Sequence, residues 1–172
     1  MRVGNRLPKV RACVPVELQR VVLAIRALPV RALVTLGPAV EPGPFLAPPD
    51  VIVERFVPHS AILSHAAVLV TQCGFGGVTK ALAHGVPMLC LPLVGDQPDN
   101  AARVVARGAG VLLQPRASAA QIRDALMRVL ADPRFSAAAR RLGSSLDADH
   151  SGEPAALELE SLASPVIRQL RA

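Results

Sequence analysis

Residues 68–100 read VLVTQCGFGGVTKALAHGVPMLCLPLVGDQPDN. Gly74, Gly76 and Gly77 stand between an apolar run of strand length and a segment with helical spacing. The first amides of a helix lack intrahelical acceptors, and the helix dipole draws anions to that end. Glycine lets the backbone approach a ligand closely and tolerates φ > 0. Asp96 and Gln97 follow the next apolar run. A carboxylate beside a carboxamide offers both acceptors and donors, which suits the vicinal hydroxyls of a sugar. The segment therefore reads as an anion cradle next to a polyol reader. The familiar phosphate loops do not describe it. No Gly-Lys-Ser/Thr closes the turn, and Thr79 stands where G-x-G-x-x-G needs its third glycine. Thr79 also occupies the arginine position of a Cys-x5-Arg phosphatase loop. The glycines on their own also suit a structural tight turn, and Asp96 also suits a helix N-cap ahead of Pro98.

Positioning these groups requires alternating strands and helices. Strand-length apolar runs fall at 30–36, 51–56, 67–71, 88–92 and 110–114. Helical patterns fall at 16–28, 59–63, 76–84, 98–107, 119–131, 133–146 and 155–170. Gly85 and Pro87 stop one helix and Gly108 another. Ser118 with Gln121 three residues on forms a capping-box pattern. A Pro-rich loop covers 41–50, and a strand before the first helix, at about 9–14, is poor in pattern. The alternation predicts an α/β fold, a Rossmann-like parallel sheet with helices on both faces. Right-handed crossovers then give the strand order 3-2-1-4-5-6, with ligands at the carboxyl ends of the strands. The chain is expected to form one domain overall, with 1–29 as a degenerate strand and helix segment and 30–172 as the ligand-binding part.

Composition narrows the functional classes. A chain of 172 residues is long enough for a real core. It has no Trp or Tyr and four Phe, so Val, Leu, Ile and Ala must build that core. The net charge of +6 comes mostly from arginines scattered through the pattern, without a basic run or a base-stacking aromatic motif. Nucleic acid is therefore not an expected partner. Cys13, Cys73 and Cys90 have no metal-type spacing and suit a reducing, cytoplasmic setting. No signal peptide and no membrane span are expected.

Residues 57–100 carry a more specific pattern. Phe56-Val57-Pro58-His59, Thr71-x-Cys73-Gly74-Phe75, Gly85-Val86-Pro87-Met88, Pro92, Asp96-Gln97 and Asn100-Ala101 occur in order. In this pattern the chain resembles the C-terminal, nucleotide-sugar-binding domain of GT-B glycosyltransferases, in particular the UDP-glycosyltransferase and macrolide glycosyltransferase group. The resemblance spans roughly 30–146. It implies a single C-terminal half of a GT-B fold binding a nucleotide-diphosphate sugar, a UDP- or dTDP-sugar, for hexosyl transfer to an acceptor hydroxyl. It implies the Val57 backbone and His59 near the base and the turn amides of Gly74, Gly76 and Gly77 at the diphosphate. Asp96 and Gln97 would then meet the sugar hydroxyls. No metal and no cofactor are implied, and no catalytic residue is assigned within the chain.

Three positions depart from the family pattern. Gln72 replaces a phosphate-contacting His, Gly77 replaces a Ser, and Lys80 replaces a ribose-binding Glu. Lys80 has no acceptor to offer ribose; it suits either a point charge for phosphate or a surface lysine on the first helical turns. The family's acceptor domain, which carries the catalytic base, lies N-terminal to this one, and nothing before Val30 has room for it. The isolated chain is thus expected to be inactive, to need a separate acceptor-binding domain as partner, and to expose an apolar patch where that domain would sit. The alternative is a non-catalytic nucleotide-binding pseudoenzyme or a truncated remnant.

Overall fold

The computed structural model describes residues 9–12, 15–36 and 49–149. Six strands form one parallel sheet: β1 (Lys9–Ala12), β2 (Arg31–Thr35), β3 (Val51–Glu54), β4 (Val68–Thr71), β5 (Met88–Cys90) and β6 (Gly110–Leu112). Their order is β3-β2-β1-β4-β5-β6, the order expected from the alternation. The helices are α1 (Pro15–Ile25), α2 (Ser60–Leu63), α3 (Phe75–Ala83), α4 (Gln97–Ala106), α5 (Ala119–Ala131) and α6 (Pro133–Asp149). The Pro-rich loop falls mostly, and the 155–170 helix wholly, outside the described residues, as does Cys13. No described helix is long and apolar enough to cross a membrane.

The stretch with the poorest strand pattern takes the centre of the sheet. β1 pairs with β2 in the register Val10↔Ala32 and with β4 in the register Val10↔Val68. Pairing on both edges holds a strand whose own sequence is a weak β former, because β propensity is mostly a matter of context. Residues 9–12 thus belong to the same sheet as the rest, and Leu18, Val21, Val22, Ala24 and Ile25 to the same core. The chain leaves β1 toward one edge of the sheet and later returns to β4 on its other side. That reversal makes the β1/β4 boundary a topological switch point.

β4 and β5 are buried on both faces. On β4, Val68 and Val70 join the cluster of Leu18, Val22 and Ile25 from α1 and Ile122, Leu126 and Val129 from α5. Leu69 points the other way, into Val78 and Ala81 of α3, Val104 of α4 and Ala138 and Ala139 of α6. β5 divides likewise, with Leu89 on the first face and Met88 and Cys90 on the second. Several strands end earlier than their apolar runs. β5 stops at Cys90 rather than at Pro92, since proline has no N–H to give a ladder. α6 conversely runs past Leu146 to Asp149. Ser118 Oγ accepts from the Gln121 amide at 3.2 Å and Gln121 Oε1 from the Ser118 amide at 2.8 Å, so the capping box closes as read.

Packing on the second face depends on one absent side chain. A Cβ at Gly143 in α6 would collide with the carbonyl of Leu82, so α6 lies against α3 only because Gly143 is bare. Alanine in place of a helix-interior glycine ordinarily gains about 1 kcal/mol. Here the collision with backbone should dominate, at about 1–3 kcal/mol for overpacking. Gly143→Ala is expected to lower Tm in thermal unfolding, and a raised Tm would show that α6 is free to shift.

Candidate functional site

The loops that follow β3, β4 and β5 share the carboxyl end of the sheet. The β4 loop is shaped by Thr71. Its Oγ1 accepts from the Cys73 amide at 3.1 Å, and Cys73 then adopts φ +67°, the only non-glycine positive φ among the described residues. The sequence assigns such strain to the glycines, but Gly74, Gly76 and Gly77 are not among the positive-φ residues. Cys73 makes the sharp turn in their place and is fully buried. It is held against Cys90, whose thiol is pushed well up by the hydrogen bond with Cys73 and by burial. Both cysteines are buried and serve as small packing groups of the core.

The turn delivers the chain into α3 with no side-chain cap. Gly74 is its N-cap, at φ −60° and ψ 143°. The Gly74 carbonyl accepts from the Gly77 amide at 2.9 Å and from Val78 at 3.1 Å. The amides of Gly74, Phe75 and Gly76 are left without an acceptor among the described residues. Of the three glycine amides named from the sequence, the one on Gly77 is engaged within the turn, and the Phe75 amide joins the open set. The glycines serve access: a Cβ on Gly74 or Gly76 would meet nothing within 4 Å. Bare backbone with unpaired amides at a helix start is the chemistry of an anion site.

Lys80 lies on the exposed side of α3 and has no ion-pair or hydrogen-bond partner among the described residues. It follows Gly76 by four residues and Gly77 by three, so it shares their helix face. Helical side chains lean toward the N-terminus, and two glycines leave that path clear. Gln72 is half-buried, and its Oε1 is buried with no hydrogen-bond partner. Such orphaned atoms are rare.

The β5 loop places Asp96 and Gln97 at the start of α4. Asp96 occupies the N-cap position without capping the helix by its side chain. Its Oδ2 accepts from Asn100 Nδ2 at 2.7 Å. Gln97 Oε1 accepts from the amides of Leu93 at 2.8 Å and Val94 at 3.0 Å. The pair thus presents one open acceptor, Asp96 Oδ1, and one donor group, the Gln97 amino group. Asn100 is buried, and its Nδ2 also donates to the Cys73 carbonyl at 3.1 Å, tying this loop to the glycine turn. That link was visible in the sequence only as an Asn four residues after an Asp. After β3, Val57 and His59 are both half-buried, and His59 N-caps α2 without a side-chain cap bond. Among the described residues no three His, Cys, Asp or Glu cluster as a metal site would need.

Residues 18–159 match the family described as UDP-glucoronosyl and UDP-glucosyl transferase. A 4'-demethylrebeccamycin synthase of Lentzea aerocolonigenes is 46% identical over 123 residues, which cover 69% of this chain and 29% of that protein. The structure of the glycotransferase of kitacinnamycin superposes with a TM-score of 0.80 at 28% identity, over 94% of this chain and 44% of that one. Spinosyn rhamnosyltransferase SpnG complexed with thymidine diphosphate gives 0.75 at 26% identity, over 84% of this chain and 42% of that one. The chain therefore spans less than half the length of each of these proteins.

An Asp at Gly76 would enter open space beside the positive end of the helix dipole. Gly76→Asp is expected to leave Tm unchanged or to raise stability by roughly 0.5–1 kcal/mol. A marked fall in Tm would show that Gly76 is required for packing and not for access.

Proposed function

The chain belongs to the UDP-glucoronosyl and UDP-glucosyl transferase family, and on that premise we propose that it binds a nucleotide-diphosphate sugar as the donor half of a glycosyltransferase. The observation that carries this reading is the open start of α3. Three unpaired amides lie at the switch point of the sheet, and Asn100 donates both to the Cys73 carbonyl just before them and to Asp96 of the β5 loop. A diphosphate suits the amides of Gly74, Phe75 and Gly76, with Lys80 reaching over Gly76 and Gly77 as a counter-charge. A sugar with two adjacent hydroxyls suits the open groups beyond: one hydroxyl donates to Asp96 Oδ1 and the next accepts from the Gln97 amino group. The Val57 backbone and His59 are left for the nucleoside, and the Gln72 side chain stands where the family contacts phosphate. The SpnG complex with thymidine diphosphate supports the ligand class.

In transfer to an acceptor hydroxyl, negative charge grows on the departing diphosphate as the sugar becomes oxocarbenium-like. Fixed amides and Lys80 stabilise that charge without reorganising. The acceptor and its base would come from a separate domain. Phe56 and Val94 on the carboxyl-end loops and Phe75 at the start of α3 stand 68%, 69% and 68% exposed, as a surface covered by such a domain would require. A second reading, binding without transfer, is favoured by the loss of a charged donor at Gln72 and of an acceptor at Lys80.

Thermal shift with UDP, dTDP and their sugar conjugates tests the donor site. A ligand at a hundredfold excess over Kd adds about 2.7 kcal/mol of stability, so Tm should rise in the wild-type chain and not in Gly76→Asp. No shift at millimolar nucleotide would sink the reading. Lys80 generates a second expectation. With no acceptor for ribose hydroxyls, the chain should bind UDP and 2′-deoxy-UDP with Kd values within about threefold, and Lys80→Glu should restore a preference of about tenfold for ribose. A strong ribose preference in the wild-type chain would show that another group reads that hydroxyl.

A further inference from the structure

Asn100 is a buried carboxamide with every polar atom committed. Its Nδ2 carries two hydrogens. One meets the Cys73 carbonyl at 3.1 Å and the other meets Asp96 Oδ2 at 2.7 Å. Its Oδ1 accepts from Arg103 Nη1 at 3.5 Å, which sets the amide the right way round. Both groups held by Nδ2 lie in the proposed donor site, 27 residues and 4 residues away in sequence.

The bond to Cys73 has a consequence for the cradle. A trans peptide is planar, so the Cys73 carbonyl and the Gly74 N–H lie in one rigid plane and point in opposite directions. Holding the carbonyl inward toward Asn100 holds the Gly74 N–H outward toward open space. Cys73 sits at φ +67°, a conformation an L-residue leaves readily unless its surroundings enforce it. The bond to Asp96 acts on the other half of the site. It occupies Oδ2 and leaves Oδ1 as the single open acceptor, and it keeps an exposed carboxylate from swinging toward the anion cradle.

We propose that Asn100 is the positioning residue that couples the diphosphate cradle to the sugar-reading carboxylate, so that one carboxamide sets both the Gly74 amide and Asp96. The proposal rests on the donor-site reading above and adds to it. Asn100 touches neither ligand part itself. Its removal should therefore act in two separable increments, one on the diphosphate and one on the sugar, while the nucleoside is untouched.

Calorimetry with uridine, UDP and UDP-glucose, and with the thymidine series in parallel, separates these increments. Asn100→Leu keeps the branched outline of the side chain and removes the donors. Uridine or thymidine affinity should hold within about threefold, the diphosphate should weaken about tenfold, and the nucleotide sugar should weaken about tenfold more. In an Asp96→Ala background, Asn100→Leu should still weaken the diphosphate but no longer lower the ratio of sugar-conjugate to diphosphate affinity. Asn100→Thr has one hydroxyl donor for two partners and should keep one increment and lose the other, which preserves the test should Asn100→Leu not fold. Equal losses for nucleoside, diphosphate and sugar conjugate, or no losses, would overturn the coupling while the donor site stands. A wild-type chain that binds none of the ligands would remove the donor site and the coupling together.

Discussion

A parallel sheet buried on both faces confines polar chemistry to the ends of its strands. On β4 all four residues are buried, with Val68 and Val70 facing one layer of helices and Leu69 the other. No ligand group can be presented from such a strand along its length. The chain must therefore place its donors and acceptors on the loops at the carboxyl end. The central position of β1 between β2 and β4 decides which loops meet there. The reversal of strand order leaves a crevice beside the β4 loop, and α3 starts at its edge. Fold and site are thus one constraint seen at two scales.

Within that constraint the site depends on conformations more than on distinctive side chains. Thr71 turns its hydroxyl onto the Cys73 amide, and the left-handed Cys73 follows. A left-handed L-residue costs roughly 1–2 kcal/mol, and burial of both cysteines with the bond from Asn100 offsets it. The result is a helix start whose amides are aimed outward and uncapped. A Ser, Thr, Asn or Asp at Gly74 would satisfy one of those amides and add stability. Its absence leaves them for a ligand, which is the usual exchange between stability and function at a binding site.

Much of this was legible from residue pattern alone. The strand order, the helices after β4 and β5, the capping box at Ser118 and the cluster of turn and Asp96-Gln97 at one end all follow from periodicity and turn chemistry. What stayed hidden depends on contacts between distant residues. β1 was obscured because Lys9–Ala12 is made a strand by its two neighbours and not by its own pattern. Gly143 gives no sign of its contact with Leu82 until α6 and α3 are packed. The assignment of φ > 0 to glycine is a sound prior that Cys73 overrides, since burial and two hydrogen bonds enforce its shape. Asn100 stands in the family pattern beside Ala101, and only the fold shows that it serves two loops.

The same distinction bears on the altered charges. Exchanging the family's Glu for Lys80 removes an acceptor for ribose and places a cation on the face that overlooks the cradle. A charge-assisted hydrogen bond is worth about 1.5–3 kcal/mol. A unit pair at about 5 Å contributes roughly 1 kcal/mol in water and about 3 kcal/mol at an effective dielectric near 20. The two terms are of similar size, so the exchange need not weaken binding of a nucleotide diphosphate. In the proposed donor site it would move recognition from the ribose toward the phosphates. Gln72 acts in the same direction with less force, since a neutral carboxamide still donates where a charged imidazole would have attracted. The electrostatic centre of the site thus shifts toward the helix start, where the unpaired amides already favour an anion. An exposed lysine is screened at physiological salt over about 8 Å, so its contribution is felt by a ligand already seated in the cradle and little by one at a distance. In the proposed donor site, the backbone amides would select the anion and Lys80 would reinforce that choice.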